Sequence, residues 1–198
     1  MKIDKELFEA VSNDSGLDAG SIYAIVRTES NGHFRWKGGK IPILFERHWA
    51  YRLYKKKHGV KKADRLARKY PKIINPRSGG YGKFSAQYGK LSKAIKLLGK
   101  EIAHQSTSFG AFQIMGFNYK VCGFNSAVEM SDAYHQDPQI EQIKGFIEFV
   151  KNYRNGKLLK AVEARDWNKV ALIYNGKAYR KNSYHTKLEI AYRMYWDS

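Results

Sequence analysis

Apolar residues in this chain recur at helical spacing in short blocks, and the blocks end at glycine, proline or asparagine clusters. That pattern excludes long coiled coils and extended sheets and predicts a bundle of short helices. The stretch from Ser21 to Gly32, SIYAIVRTESNG, is the most informative block. Ile22, Ile25 and Val26 mark one helical face, and the next position on that face is Glu29. A carboxylate at a core position near a helix C-terminus has its charged form disfavoured twice, by desolvation and by the negative end of the helix dipole. A carboxyl group held neutral near pH 7 suits a general acid. The bland alternative is a glutamate at a frayed helix end with its head in water.

The rest of the chain reads in the same way. A helix is expected from Asp4 to Val11, stopped by SNDSG. A second is capped by Asp18 and ended by Gly32 in a left-handed conformation. PILF (42–45) reads as a short strand, and the WKGGKIPILFE region as a small β-hairpin or irregular sheet. Further helices are expected over ERHWAYRLYKKK, 84–98, 100–105, 126–134, 138–152, 158–164, 167–174 and 183–196, with Pro138 as the first residue of its helix. YPKIINPRSGGYG reads as loop. No repeat or linker divides the chain, so a single domain over residues 1–198 is expected, mainly α with a small β region.

Composition narrows the function classes. With 36 Lys+Arg against 18 Asp+Glu, the formal net charge of +18 calls for an anionic partner such as nucleic acid, anionic lipid or wall polymer. Cys122 is the one cysteine, which rules out an intramolecular disulfide and a cysteine-held zinc. The six histidines have no metal-ligand spacing, and nucleotide-binding and serine-nucleophile motifs are missing. No metal or cofactor is expected. The N-terminus lacks the apolar core of a signal peptide. Glu46, between an apolar run and a basic helix, is a second candidate carboxylate, with an ion pair to Arg47 or Arg27 as the alternative. Gln113 is an amide inside the apolar run GAFQIM, where it must find hydrogen-bond partners. Tyr174-Asn175-Gly176 is ordinary helix-stop chemistry.

Taken in order, Glu29-Ser30, GAFQ (110–113) and Tyr174-Asn175 resemble the ES, GxxQ and YN signatures of goose-type lysozymes and soluble lytic transglycosylases. More closely, RTESNG, IPILFERHWAYR, GGYG, QSTSFGAFQIMGFN and YNGKAYRKNSYHTKL resemble the N-acetylmuramidase family of bacteriophage endolysins, over nearly the whole chain from about Ser21. That family usually has tryptophan where this chain has Phe109. The resemblance implies a lysozyme-like fold and cleavage of the β-1,4 bond between N-acetylmuramic acid and N-acetylglucosamine. It makes Glu29 the catalytic acid and Glu46 the choice for second carboxylate. Ser30, Gln113, Tyr174 and Asn175 would be the substrate-binding residues: Ser30 would support the helix end, Gln113 would line the glycan cleft, and Tyr174 would lie close to the acid.

The resemblance further implies a monomer that waits in the host cytoplasm until a membrane pore (holin) opens, with no separate wall-binding module. Cys122 would then stay a thiol. Its partners would be peptidoglycan strands and anionic outer-membrane lipopolysaccharide. The same signatures fit a lytic transglycosylase that leaves 1,6-anhydro ends. A nucleic-acid binder with no enzymatic activity is the reading from another class, favoured by the charge and the aromatic content.

Overall fold

The computed structural model describes residues 5–36 and 38–197. Eleven α-helices and a three-stranded sheet make up the described architecture, with single 3-10 turns at 84–86, 116–118 and 177–182. Helix α1 (Lys5–Ser15) runs through the SNDS segment expected to stop it and ends at Gly16, whose φ is +74°. Ser12 is buried in this extra turn, and its hydroxyl donates to the Leu17 carbonyl just beyond the helix. The expected start at Asp4 lies outside the described residues.

Helix α2 (Ala19–Ser30) begins as expected: Asp18 Oδ2 accepts from the Ser21 N–H at 3.1 Å. Its end combines Asn31 (φ +56°) and Gly32 (φ +79°), whose N–H groups reach the Arg27 and Val26 carbonyls. Ile22, Ile25 and Val26 are buried, as the periodicity requires. Helix α2 packs chiefly against the final helix, α11 (Tyr184–Trp196). Gly20 allows this approach, because a side chain there would collide with Trp196 and Tyr192.

The small sheet differs from the expected hairpin. The 36–46 region supplies one strand, β1 (Ile43–Phe45), and its partners come from the GxxQ segment: β2 (Thr107–Phe109) and β3 (Ile114–Met115). All pairs are antiparallel in the order β1-β2-β3, with Ile43 opposite Phe109 and Phe109 opposite Ile114. A strand's hydrogen-bonding partner is set by tertiary contact, which local pattern does not encode. Phe109 is fully buried here.

Basic helix α3 (Arg47–His58) is as expected, whereas α4 (Val60–Lys69) was not anticipated. Its lysines and arginines mask an amphipathic pattern in which Ala63 is buried. Helices α5 (Gln87–Leu98), α6 (Lys100–Gln105), α7 (Ala127–Gln136), α8 (Ile140–Asn152), α9 (Lys157–Glu163) and α10 (Trp167–Asn175) lie close to expectation. Pro138 sits in the turn before α8 rather than at its first position. Asp137 Oδ1 accepts the Ile140 N–H and its carbonyl accepts the Glu141 N–H, so Asp137 leads the chain into the helix.

Two buried glutamines tie the sheet to the helices. Gln87 Oε1 accepts from the Phe45 N–H at 3.0 Å, and its Nε2 donates to the Tyr81 carbonyl at 2.8 Å. Gln142, on α8, accepts from the Ala111 N–H at 2.7 Å and thereby holds the β2–β3 loop (110–113). Cys122 is buried, and burial pushes its thiol up to about 12, so it stays protonated at neutral pH. Replacing Gln142 by Leu leaves the Ala111 N–H buried without a partner, which should cost roughly 1–3 kcal/mol. Denaturant unfolding of Gln142→Leu checks this; an unchanged midpoint would mean that the loop does not depend on the bond.

Candidate active site

The end of α2, the loop after it, the start of β1, the β2–β3 loop and α11 converge on a cleft of about 630 Å³. Helix α2 and its cap contribute Arg27, Thr28, Glu29, Ser30 and Asn31. Helix α11 contributes Lys187, Ile190, Ala191 and Met194, while Trp36, Pro42, Phe84 and Gln113 complete the lining.

Glu29 is the one carboxylate among the described residues lining this cleft. Desolvation raises its pKa from 4.5 to about 7, partly opposed by a hydrogen bond that the Tyr184 hydroxyl donates to Oε1. Tyr184 is buried at the first position of α11, so the α2–α11 contact delivers it to the acid. Sequence reasoning missed Tyr184. It belongs to a segment with a family likeness, but periodicity marks it only as a helix start. Its own ionisation is pushed well above the usual tyrosine range by burial first and then by Glu29, so it remains a donor.

Ser30 lines the cleft, and its hydroxyl donates back to the Val26 carbonyl at 3.1 Å, closing the last turn of α2. Gln113 also lines the cleft, from a left-handed backbone conformation (φ +49°) that is uncommon outside glycine. Its Oε1 accepts from Ser108 Oγ at 3.0 Å and its Nε2 donates to the Gly110 carbonyl at 2.8 Å. A primary amide has two donors and two lone pairs, so one of each remains for a ligand.

Tyr174 stands behind this wall. Its hydroxyl donates to the Phe112 carbonyl at 2.5 Å, one residue from Gln113. Burial, then the field of Glu29, keeps the phenol neutral. Tyr174 is therefore close enough to feel the acid without lining the cleft. Asn175 is exposed at the end of α10 and is not among the lining residues.

Glu46 is held by a separate set of contacts. It follows the end of β1 remote from Pro42, roughly 13 Å along the strand at about 3.3 Å per residue, and does not line the cleft. Its Oε2 lies 3.0 Å from His48 Nδ1, and Tyr81 hydrogen-bonds to the carboxyl group. Burial nonetheless raises its pKa. The alternative of a pair with Arg47 or Arg27 is not met either, since the Arg47 guanidinium donates to the Pro71 and Ser78 carbonyls and Arg27 to the Asn31 carbonyl. The strand direction that separates Glu46 from Glu29 follows from the sheet pairing. Among the described residues no group of three His, Cys, Asp or Glu is arranged to hold a metal ion.

The sequence profile of the N-acetylmuramidase family matches residues 18–196, which include every group described above. The chain belongs to this family. Among solved structures, the crystal structure of a Burkholderia AP3 phage endolysin is similar, with a TM-score of 0.82 and 34% sequence identity. The match covers 96% of this chain and 70% of the endolysin chain. Comparison with curated proteins returns no significant match. The muramidase fold is thus mainly helical with a small antiparallel sheet, and peptidoglycan is the substrate class that membership brings.

The charge state of Glu29 links pH to this muramidase's stability. The folded chain holds the Glu29 proton more tightly than the unfolded chain, so stability falls as pH rises from about 4.5 to about 7 and then levels. In Glu29→Gln the part of the falling limb that Glu29 contributes should disappear. The variant's advantage should grow across that window to at most about 3.5 kcal/mol, at about 1.4 kcal/mol per unit. Tyr184→Phe removes a donor that favours the carboxylate, so it should move the Glu29 titration upward. Carboxyl chemical shifts against pH read this directly; a downward move would mean that Tyr184 acts on Glu29 in some other way.

Proposed function

We propose that this muramidase hydrolyses the β-1,4 bond between N-acetylmuramic acid and N-acetylglucosamine, with Glu29 as general acid. The observation that carries the reading is a carboxyl group raised to about 7 in a cleft lined by no other carboxylate among the described residues. Protonated Glu29 gives its proton to the bridging oxygen as the glycosidic bond breaks, and water completes the hydrolysis at the anomeric carbon. Tyr184 holds the carboxyl oriented and receives the developing negative charge as a hydrogen bond. Gln113 offers its spare amide donor and acceptor to the sugar, and Ser30 keeps the end of α2 closed. Tyr174 supports the Gln113 loop through the Phe112 carbonyl, while Asn175 acts only as the helix stop.

The single carboxylate favours a second reading. Inverting and retaining glycosidases with two carboxylates keep both beside the scissile bond, and Glu46 is not at this cleft. A lytic transglycosylase needs one acid that later turns base, while the muramoyl 6-hydroxyl attacks and leaves a 1,6-anhydro end. Mass spectrometry of digested sacculi distinguishes the products: reducing ends support hydrolysis, and anhydromuramyl ends support the transglycosylase.

Glu29→Gln should abolish wall lysis with the fold retained, because the amide is nearly isosteric and cannot donate the proton. Glu46→Gln should keep activity within about tenfold of wild type, a barrier change of about 1.4 kcal/mol. Clearing of permeabilised Gram-negative cells measures both. A lytic Glu29→Gln protein, or an inactive, folded Glu46→Gln protein, would overturn these assignments.

The biological role we infer is that of a phage endolysin, monomeric and held in the host cytoplasm until a holin pore admits it to the wall. Its charge of +18 would draw it to peptidoglycan carboxylates and lipopolysaccharide phosphates. Family membership leaves the nucleic-acid reading without a supporting observation of its own. Long-range attraction weakens as the screening length falls from about 10 Å at 0.1 M salt to about 3 Å at 1 M. Clearing of cell walls should therefore drop steeply with salt, while cleavage of a short neutral glycan changes little. Equal salt sensitivity would locate the effect of charge inside the cleft instead.

A further inference from the structure

Eight large apolar side chains are exposed among the described residues, and four of them, Trp36, Phe84, Ile190 and Met194, line the Glu29 cleft. Scattered exposed apolar residues are ordinary, but a concentration in one concave surface marks a binding site. The four fall into two pairs. Ile190 and Met194 are one turn apart on α11, and Trp36 and Phe84 meet edge to face at 5.1 Å between ring centroids.

Trp36 is also fixed relative to the acid. The His33 ring stacks on it at 4.7 Å with 20° between planes, and His33 Nδ1 bonds to the carbonyl of Ser30, the residue after Glu29, at 2.8 Å. Closing the loop behind it, the Trp36 N–H donates to the Lys40 carbonyl at 2.8 Å. A hydrogen bond and a ring stack therefore connect the end of α2 to an aromatic surface in the cleft.

We propose that Trp36 and Phe84, their rings inclined at 71° to one another, form an angled aromatic platform for one acetamido sugar of the glycan strand, set in register with Glu29 by His33. This rests on the functional reading above. A pyranose ring offers an apolar C–H face to an aromatic plane while its hydroxyl and acetamido edges stay free for polar partners. Ile190 and Met194 add further apolar surface to the same cleft. Arg27 and Lys187 are the cations of the cleft, and Glu29 is largely neutral below pH 7, so the lining also suits the lactyl carboxylate of a muramoyl strand. His33 is a positioning residue: it touches the platform and the helix end, not the bond that breaks.

The test uses the full chain, a soluble GlcNAc–MurNAc tetrasaccharide for calorimetric binding, and intact sacculi for turnover. Trp36→Ala and Phe84→Ala should each weaken tetrasaccharide binding by about tenfold or more. Trp36→Phe, which retains a ring, should recover most of the loss. On sacculi the alanine variants should raise KM more than they lower kcat, and His33→Ala should do the same more mildly. Thermal unfolding verifies that each variant is folded, and Trp36→Phe carries the comparison where an alanine variant is not. Wild-type affinity in folded Trp36→Ala and Phe84→Ala overturns the platform. So does a loss in Trp36→Phe as large as that in Trp36→Ala. Glu29→Gln run alongside separates the two proposals. If it turns over sacculi normally while the platform variants lose binding, the acid assignment fails and the platform stands. If it is inactive while they bind normally, the platform fails alone.

Discussion

The contact of Glu29 with Tyr184 is the point on which the cleft depends. A carboxyl group at the end of α2 is deprived of water, and a phenol from the first turn of α11 supplies the hydrogen bond that water would have made. Burial without that donor would push the acid higher still, and the donor without burial would leave an ordinary carboxylate. Both terms come from one packing event, the seating of α11 on α2, which Gly20 allows by making room for Tyr192 and Trp196. The cost is a fold that carries a destabilised carboxylate above neutral pH.

The sheet serves the same cleft from the other side. Three strands of two or three residues are too short to be stable alone. They are held by side-chain amides instead: Gln87 on the edge of β1 and Gln142 behind the β2–β3 loop. With the loop fixed at Ala111 by Gln142 and at Phe112 by Tyr174, the strained left-handed conformation of Gln113 is imposed by its surroundings. The amide is thereby presented to the cleft with part of its hydrogen-bonding capacity unused. Polar groups buried for structural reasons thus position one polar group at the surface where a ligand would lie.

Glu46 shows how chain direction sets the surroundings of a carboxylate. Glu46 and Glu29 are only 17 positions apart in the sequence. Strand β1 begins at the cleft and runs away from it, so Pro42 lines the cavity and Glu46 joins His48 and Tyr81 elsewhere. The described lining thus holds a single carboxylate, Glu29.

Much of the architecture was readable from the residues. Helical periodicity located most of the helices, Asp18 and the Asn31–Gly32 pair marked the limits of α2, and the misplacement of Glu29 on an apolar face singled it out. These are local signals, set by the 3.6-residue period and by capping chemistry within a few residues. What local signals missed was non-local or masked: α4 beneath its lysines, the true partners of β1, the separation of Glu46, and the assembly of Trp36 with Phe84. Tyr184 is the clearest case. The sequence by itself determined that a carboxyl group would stand on the apolar face of a helix. Only the tertiary structure decided that a phenol 155 residues further along the chain would meet it, because helix packing depends on the shapes of both faces and no spacing along the chain records them.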